Sequence, residues 1–451
     1  MLERNRMVIA KKIAAAAGMD AGEALSLLAA PPRPEMGDYA FPCFALAKTL
    51  KKAPPVIAVE LTPMIAAALP EVGVEAAGPY INFRLDKKRV TDQVVRRVLA
   101  ERVLVNPEGQ GKTVVIDFSS PNIAKPFSMG HLRATTIGNA LSRIYQALGY
   151  AVVRVNHLGD WGTQFGKLIV AYRMWGDDKE LESREIDYLM EIYVRFNDEA
   201  KKDPALDDLA RAAFKELEDG GTEARALWTR FREISLQEFQ RLYDVLNVGF
   251  DSYNGESFYL DKVEPAIERI RAAGILEESE GALVVPMGED EPPCMIRKSD
   301  GASTYAARDL AALFYRKETY NFDKLLYVVG SPQALHFRQV FSVVDKLGLP
   351  YAAQCAHVPF GQVLIGGEMM STRKGNVVFL EDVIDKAAEL ALAKIAEDLG
   401  MQPEEMDADA VVRSRAIAVS SIIFFDLKNG RVKDVDFAWD EILNPKGETG
   451  V

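Results

Sequence analysis

Three cysteines and four histidines in 451 residues leave little room for chemistry built on disulfides or metal clusters. Cys43, Cys294 and Cys355 lie too far apart for a disulfide framework or a zinc-ligand spacing, and they read as buried or free thiols. No window approaches 18 uninterrupted apolar residues, so no membrane span is expected. Glu3, Asp20 and Glu23 in the first 30 residues argue against a signal or transit peptide, and a cytoplasmic location follows as an expectation. Internal repeats are missing, as is low-complexity sequence beyond alanine-rich helix. An excess of positive charge is missing too: 54 Lys and Arg face 66 Asp and Glu, for a net charge of -12. That balance excludes a uniformly basic nucleic-acid-binding surface and leaves only local patches. Lys48, Lys51 and Lys52 form one, Lys87, Lys88 and Arg89 another, and solvated helix faces explain both equally well.

What is present is apolar material, 48% of residues, enough for about two to four domains with sizeable cores. The most informative stretch runs from Ser119 to Arg133. Before it, Val114, Val115 and Ile116 form the unbroken apolar run of a buried parallel strand. After it, Leu132, Ile137, Leu141, Ile144 and Leu148 recur at helical spacing, Gly149 stops the helix, and Ala151 to Val155 resumes a strand. A strand, polar loop, helix and strand in this order place the loop at a helix N-terminus, where free N–H groups and the dipole favour phosphate. Gly130 allows close approach of a ligand, and His131 can donate to a phosphate oxygen. A Gly-His pair alone equally fits a histidine that caps its helix.

All four histidines fall in motif-like segments: His131; His157 within Asn156 to Gly166; His336 within Ser331 to Phe337; and His357. Downstream, Gly366 to Asn376 forms a Gly-bounded basic loop suited to gripping the phosphates of a leaving group, or else an ordinary solvated turn. Asp117 ends the first strand, at the edge where ligands of such sheets bind, and Asp309 lies four residues after Tyr305 on one helical face. Two acids and a phenol suit a guanidinium, which is planar, permanently charged and best held by carboxylates. The competing reading pairs Asp309 with Arg308 or Arg316 on its own helix. Trp161 and Phe165 read as core residues.

The loop before the helix resembles the HIGH element of class I aminoacyl-tRNA synthetases, and the later loop resembles their KMSKS element. The runs SSPNIAKPFSMGHLRAT, NHLGDWGTQFGKLI, STYAARDLAAL, YVVGSPQALHFRQVF and MSTRKGNVV, in that order, resemble arginyl-tRNA synthetases. Gly37 to Ala40 and Glu256 to Tyr259 extend the likeness over nearly the whole chain. The resemblance implies an α/β fold with a doubly wound parallel-sheet nucleotide-binding core. An N-terminal α+β domain over 1–105 would contact tRNA, a catalytic domain over 106–395 would carry an insertion around 177–290, and 396–451 would form a helical stem. It implies activation of L-arginine by ATP with Mg²⁺ and transfer to the 3′ end of arginine tRNA, by a monomer that holds no resident metal. Asp117, Tyr305 and Asp309 would recognise the guanidinium, and Asn122 with Gln333 the α-amino end. Lys125, Ser128, His131, Ser371 and Lys374 would serve catalysis, and Gly130, His131, Met370 and Ser371 would hold ATP.

Three departures accompany the likeness. Ser128 stands where the HIGH element opens with histidine; its hydroxyl still donates, with less reach. Met369 stands where the KMSKS element opens with lysine, which weakens pyrophosphate stabilisation unless Lys125 or Lys374 compensates. The sequence stops at Val451, where the family continues into an anticodon-reading helical bundle, so a chain lacking that bundle is expected. Two alternatives stay open: an arginine-adenylating enzyme that needs no tRNA, and a noncatalytic tRNA-binding fragment.

Overall fold

The computed structural model describes residues 2–101, 107–288, 291–365, 367–369, 378–437 and 442. The chain divides into two compact units, Met1–Val105 and Asn106–Val451.

In the first unit, strands β1 (Tyr39–Pro42), β2 (Val72–Ala77) and β3 (Tyr80–Leu85) form an antiparallel sheet in the order β1-β3-β2. Helices Leu2–Ala17 and Pro54–Ala68 contribute Ile9, Ile13, Ile57, Leu61 and Ile65 to its core beside Phe41, Ile81 and Phe83. The alternation expected at 80–85 is imperfect. Ile81, Asn82 and Phe83 are all buried on β3, the middle strand of the sheet.

The second unit is built on a four-stranded parallel sheet. After β4 (Thr113–Asp117), helix Met129–Ala147 crosses to β5 (Ala151–Val155). A small antiparallel sheet, β6 (Glu277–Ser279), β7 (Ala282–Val285) and β8 (Cys294–Arg297), follows in the chain before the parallel sheet resumes. Then β9 (Lys324–Gly330) leads through helix Ala334–Lys346 to β10 (Cys355–Phe360). The order is β10-β9-β4-β5, every pair parallel, so successive strands run outward in opposite directions from the β4/β9 boundary. Such a reversal opens a crevice at the carboxyl ends of the central strands. Helices Asp178–Ala200, Ala205–Glu218 and Thr222–Leu246 form the inserted bundle, and the last breaks from its neighbour at Gly220-Gly221 as its sequence suggests.

Beyond β10 lie β11 (Val363–Ile365), β12 (Glu368–Met369) and, near the chain end, β13 (Val435–Asp436). β11 pairs antiparallel with β12 and parallel with β13. Between them, helices Leu380–Leu399 and Ala408–Lys428 bury Leu380, Ile384, Ile422 and Phe425 in the same core as Phe118, Leu132 and Ile137. Trp161 and Phe165 are core residues there as well.

Candidate active site

The loop Phe118–Ser128 leaves β4 in a costly backbone. Ser119, Ser120 and Ala124 all have φ between 48° and 72°, a region that costs a residue with a Cβ about 1–2 kcal/mol. A buried hydrogen-bond web offsets this. Ser119 Oγ lies 2.8 Å from both Tyr243 Oη and Thr135 Oγ1. Asn156 Nδ2 donates to Tyr243 Oη at 2.9 Å, while its Oδ1 accepts from the Ser120 N–H at 3.2 Å. Ser235 Oγ accepts from the Ala124 N–H at 2.8 Å. Burial pushes the Tyr243 phenol up, so it stays neutral. The inserted helix Thr222–Leu246, which supplies Ser235 and Tyr243, thus clamps the loop.

Gly159 sets the next position. It bridges to Asn122, and its N–H donates to the Pro121 carbonyl at 3.1 Å. A Cβ there would fall 2.1 Å from Asn122 Oδ1, so only glycine leaves that side chain where it is. Asp160, fully buried, accepts from Ser257 N and Oγ at 2.8 Å each and pairs with Arg232 at 3.0 Å. It ties the Glu256-Ser257 segment to this side of the sheet.

Ser128 is the N-cap of helix Met129–Ala147. Its N–H donates to His131 Nδ1 at 3.1 Å, and its Oγ lies 3.2 Å from the same nitrogen. With Nδ1 filled as an acceptor, the neutral ring keeps its proton on Nε2. Burial and then the nearby Lys125 charge lower His131 to about 4, so at neutral pH it is an uncharged Nε2–H donor in the first turn of the helix.

These groups line a cleft of about 640 Å³ at the sheet's reversal point. Asn122, Lys125 and Ser128 come from the loop after β4, Gly130 and His131 from the helix start that follows, Gly330 and Gln333 from the end of β9, and Phe360 to Val363 from the stretch joining β10 to β11. Lys125 Nζ also lies over the Tyr193 ring at 5.7 Å. Arg133, a buried residue of the cleft wall, donates to the carbonyls of Gly361 and Lys433 at 2.9 and 2.8 Å and pairs with Asp426 at 2.9 Å. Among the described residues, no carboxylate lines the cleft and no group of three or more potential metal ligands occurs.

Asp117, Tyr305 and Asp309 do not line this cleft. Asp117 is buried and committed: its Oδ2 pairs with Arg316 at 2.8 Å and its Oδ1 accepts from Ser120 Oγ at 3.0 Å. Arg316 in turn lies 3.2 Å from His157 Nδ1, and that ring stacks on Tyr259. Tyr305, the first residue of helix Tyr305–Tyr320, is 70% exposed. Asp309 faces His336, whose Nε2 is 2.5 Å from Oδ2. Neither same-helix pairing occurs, because Arg316 points back to β4 and Arg308 lies 3.7 Å from Glu256.

Glu256, for which the sequence suggested no role, stands 3.7 Å from Arg308. Its carboxyl is pushed up to about 7, first by burial, with Arg308 offsetting part and Asp309 and Asp160 adding to the rise. Its signal was present in the Glu256-Ser257-Phe258-Tyr259 run. Tyr243 and Ser235, by contrast, sit in charged helical sequence that gave no hint of them. Met370, Ser371 and Lys374 lie outside the described residues.

Comparison with known proteins places this arrangement. Residues 94–439 match a family model described as tRNA synthetases class I (R), catalytic domain, so the sheet and its cleft are those of a class I tRNA synthetase. Residues 4–85 match the arginyl tRNA synthetase N terminal domain. An arginine–tRNA ligase of Exiguobacterium sibiricum is 50% identical over 437 residues, covering 95% of this chain and 77% of the relative. One from Clostridium perfringens is 48% identical over 448 residues, covering 99% and 78%. The chain belongs to the arginyl-tRNA synthetase family. The solved Thermus thermophilus arginyl-tRNA synthetase superposes with a TM-score of 0.79 at 25% identity, covering 100% of this chain and 79% of that one. The Plasmodium falciparum enzyme, at 24% identity and a TM-score of 0.80, has the same fold over 99% of this chain and 78% of that one.

Proposed function

We propose that the chain activates L-arginine with ATP and transfers it to the 3′ end of arginine tRNA. The arginine carboxylate attacks the α-phosphorus of ATP, the bond to the pyrophosphate breaks, and the tRNA ribose hydroxyl then takes the arginyl group as AMP leaves. No covalent protein nucleophile is needed. Positioning and stabilisation of charge on phosphate oxygens supply the catalysis.

The observation that carries this reading is the neutral, Nδ1-anchored His131 at the N-terminus of helix Met129–Ala147, facing the cleft. Its Nε2–H and the Gly130 backbone are assigned to the triphosphate, and Lys125 and Ser128 add donors from the loop. Met370, Ser371 and Lys374 remain the proposed grip on the leaving pyrophosphate. Asn122 and Gln333 are assigned to the α-amino end of arginine. Asp309 and Tyr305 are assigned to the guanidinium, and Glu256 joins them as a second carboxylate whose nearest cation is beyond hydrogen-bonding distance. Asp117 is proposed to act indirectly: its two oxygens hold Arg316 and Ser120, so it buttresses the pocket wall.

Mg²⁺, which the resemblance implies, finds no ligand set among the described cleft residues, and it is proposed to enter as the counter-ion of the ATP substrate. The N-terminal unit is proposed to contact tRNA. Acting on tRNA, the chain is assigned to the cytoplasm, as a monomer; no helix among the described residues is long and apolar enough to cross a membrane.

The test is arginine-dependent ATP–pyrophosphate exchange with arginine tRNA present and absent, with lysine and glutamine as competing substrates. Exchange with arginine only when tRNA is present is expected. Equal exchange without tRNA would favour an RNA-independent adenylating enzyme, and none in either condition a tRNA-binding fragment.

A further inference from the structure

Asp309 is not a free carboxylate. His336 Nε2, 2.5 Å from its Oδ2, joins helix Tyr305–Tyr320 to the first turn of helix Ala334–Lys346. Both side chains are 23% exposed, so the pair is mostly buried yet still reachable from solvent. The imidazole rests edge-on against Phe337 at a centroid distance of 5.2 Å, and Phe337 is buried against Tyr327 in the second hydrophobic core. The ring therefore bears on a fixed base. Three residues earlier, Gln333 ends the turn Ser331–Gln333 and lines the cleft.

We infer that His336 is a positioning residue for arginine, holding the Asp309 carboxylate through Oδ2 so that Oδ1 and the remaining lone pair meet the substrate guanidinium in a set plane. The inference rests on the assignment of Asp309 to the guanidinium. One turn of chain then governs both ends of the amino acid, Gln333 at the α-amino group and His336, through Asp309, at the side chain. The distance between those two anchors selects for side-chain length. The orientation of the carboxylate selects for chemistry. A guanidinium fork needs a carboxylate of defined plane, whereas an ammonium is a point charge that accepts any orientation. Losing His336 should therefore hurt arginine more than lysine.

The experiment measures arginine affinity by calorimetry on the full 451-residue chain, and KM and kcat in tRNA-supported pyrophosphate exchange, for wild type, His336→Ala, His336→Gln and Asp309→Asn. His336→Ala is expected to raise the Kd and KM for arginine about tenfold while kcat and the KM for ATP stay within about twofold. It should also narrow the preference for arginine over lysine. His336→Gln, which keeps an N–H donor, is expected to recover most of the loss. Unchanged arginine KM in His336→Ala, or a glutamine variant as impaired as the alanine one, overturns the inference. If Asp309→Asn is impaired while His336→Ala is normal, the positioning role alone fails. If Asp309→Asn binds arginine like wild type, the guanidinium assignment fails and takes this inference with it.

Discussion

His131 and Glu256 show how environment, rather than residue type, sets what a side chain does here. His131 is held at about 4, first by burial and then by Lys125, so its ring does not titrate between pH 6 and 8. His131→Ala is expected to slow adenylate formation about 10²-fold, measured as pyrophosphate exchange at saturating arginine. Glu256 is shifted the other way, to about 7. Because its folded pKa is raised, the folded state binds more protons than the unfolded chain between the ordinary carboxyl range and pH 7. This group's contribution to stability is therefore present below that range and is lost as pH rises through 7. Arginine binding needs the anion, so the affinity for arginine should weaken as pH falls from 8 to 6. Glu256→Gln should weaken binding at pH 8 by about tenfold and flatten that pH dependence, read by calorimetry across the range. A variant with wild-type affinity at pH 8 would remove Glu256 from the pocket.

At the scale of elements, the phosphate loop depends on a helix from another part of the chain. The αL backbone at Ser119, Ser120 and Ala124 persists because Tyr243, Asn156 and Ser235 satisfy the polar groups around it. Tyr243→Phe removes one of the two contacts of the buried Ser119 hydroxyl and the acceptor of Asn156 Nδ2, and should cost about 1–2 kcal/mol. Calorimetric unfolding would show the lowered Tm, and the KM for ATP should rise because the loop leads directly into Gly130 and His131. The strand, loop and helix themselves were legible. Val114 to Ile116, the spacing from Leu132 to Leu148 and the stop at Gly149 correspond to β4 and helix Met129–Ala147. The clamp was not legible, since nothing about a charged helical segment reveals which of its faces will meet a loop more than a hundred residues earlier. Gly159 lay in a motif visible in sequence, yet its role as the space that Asn122 needs follows only from the approach of the two backbones.

Across the whole second unit, Arg133 connects the cleft to helix Ala408–Lys428. It sits one turn past Gly130, fully buried, and joins Asp426 of helix Ala408–Lys428 to the carbonyls of Gly361 and Lys433. Thr136 Oγ1 donates to the same carboxylate. Asp426→Ala leaves a buried guanidinium uncompensated and should destabilise this unit by about 3–5 kcal/mol, with a correspondingly lower denaturation midpoint. If the midpoint moved by under a quarter of that, the pair would be a bystander.

The sequence by itself determined the local elements, the strand–loop–helix order that makes a doubly wound core, and the family, because these reside in spacing and in contiguous motifs. Asn122, Lys125, Ser128, Gly130 and His131 share one loop and helix start, so their convergence was already implied. Only tertiary structure decided the partners of the carboxylates. Asp117 meets Arg316, Asp309 meets His336, and Glu256 is left beside Arg308 at 3.7 Å. Each of these follows from strand order and helix docking. Hydrophobic periodicity fixes which face of an element is buried, but it does not encode which distant side chain will stand opposite a buried charge.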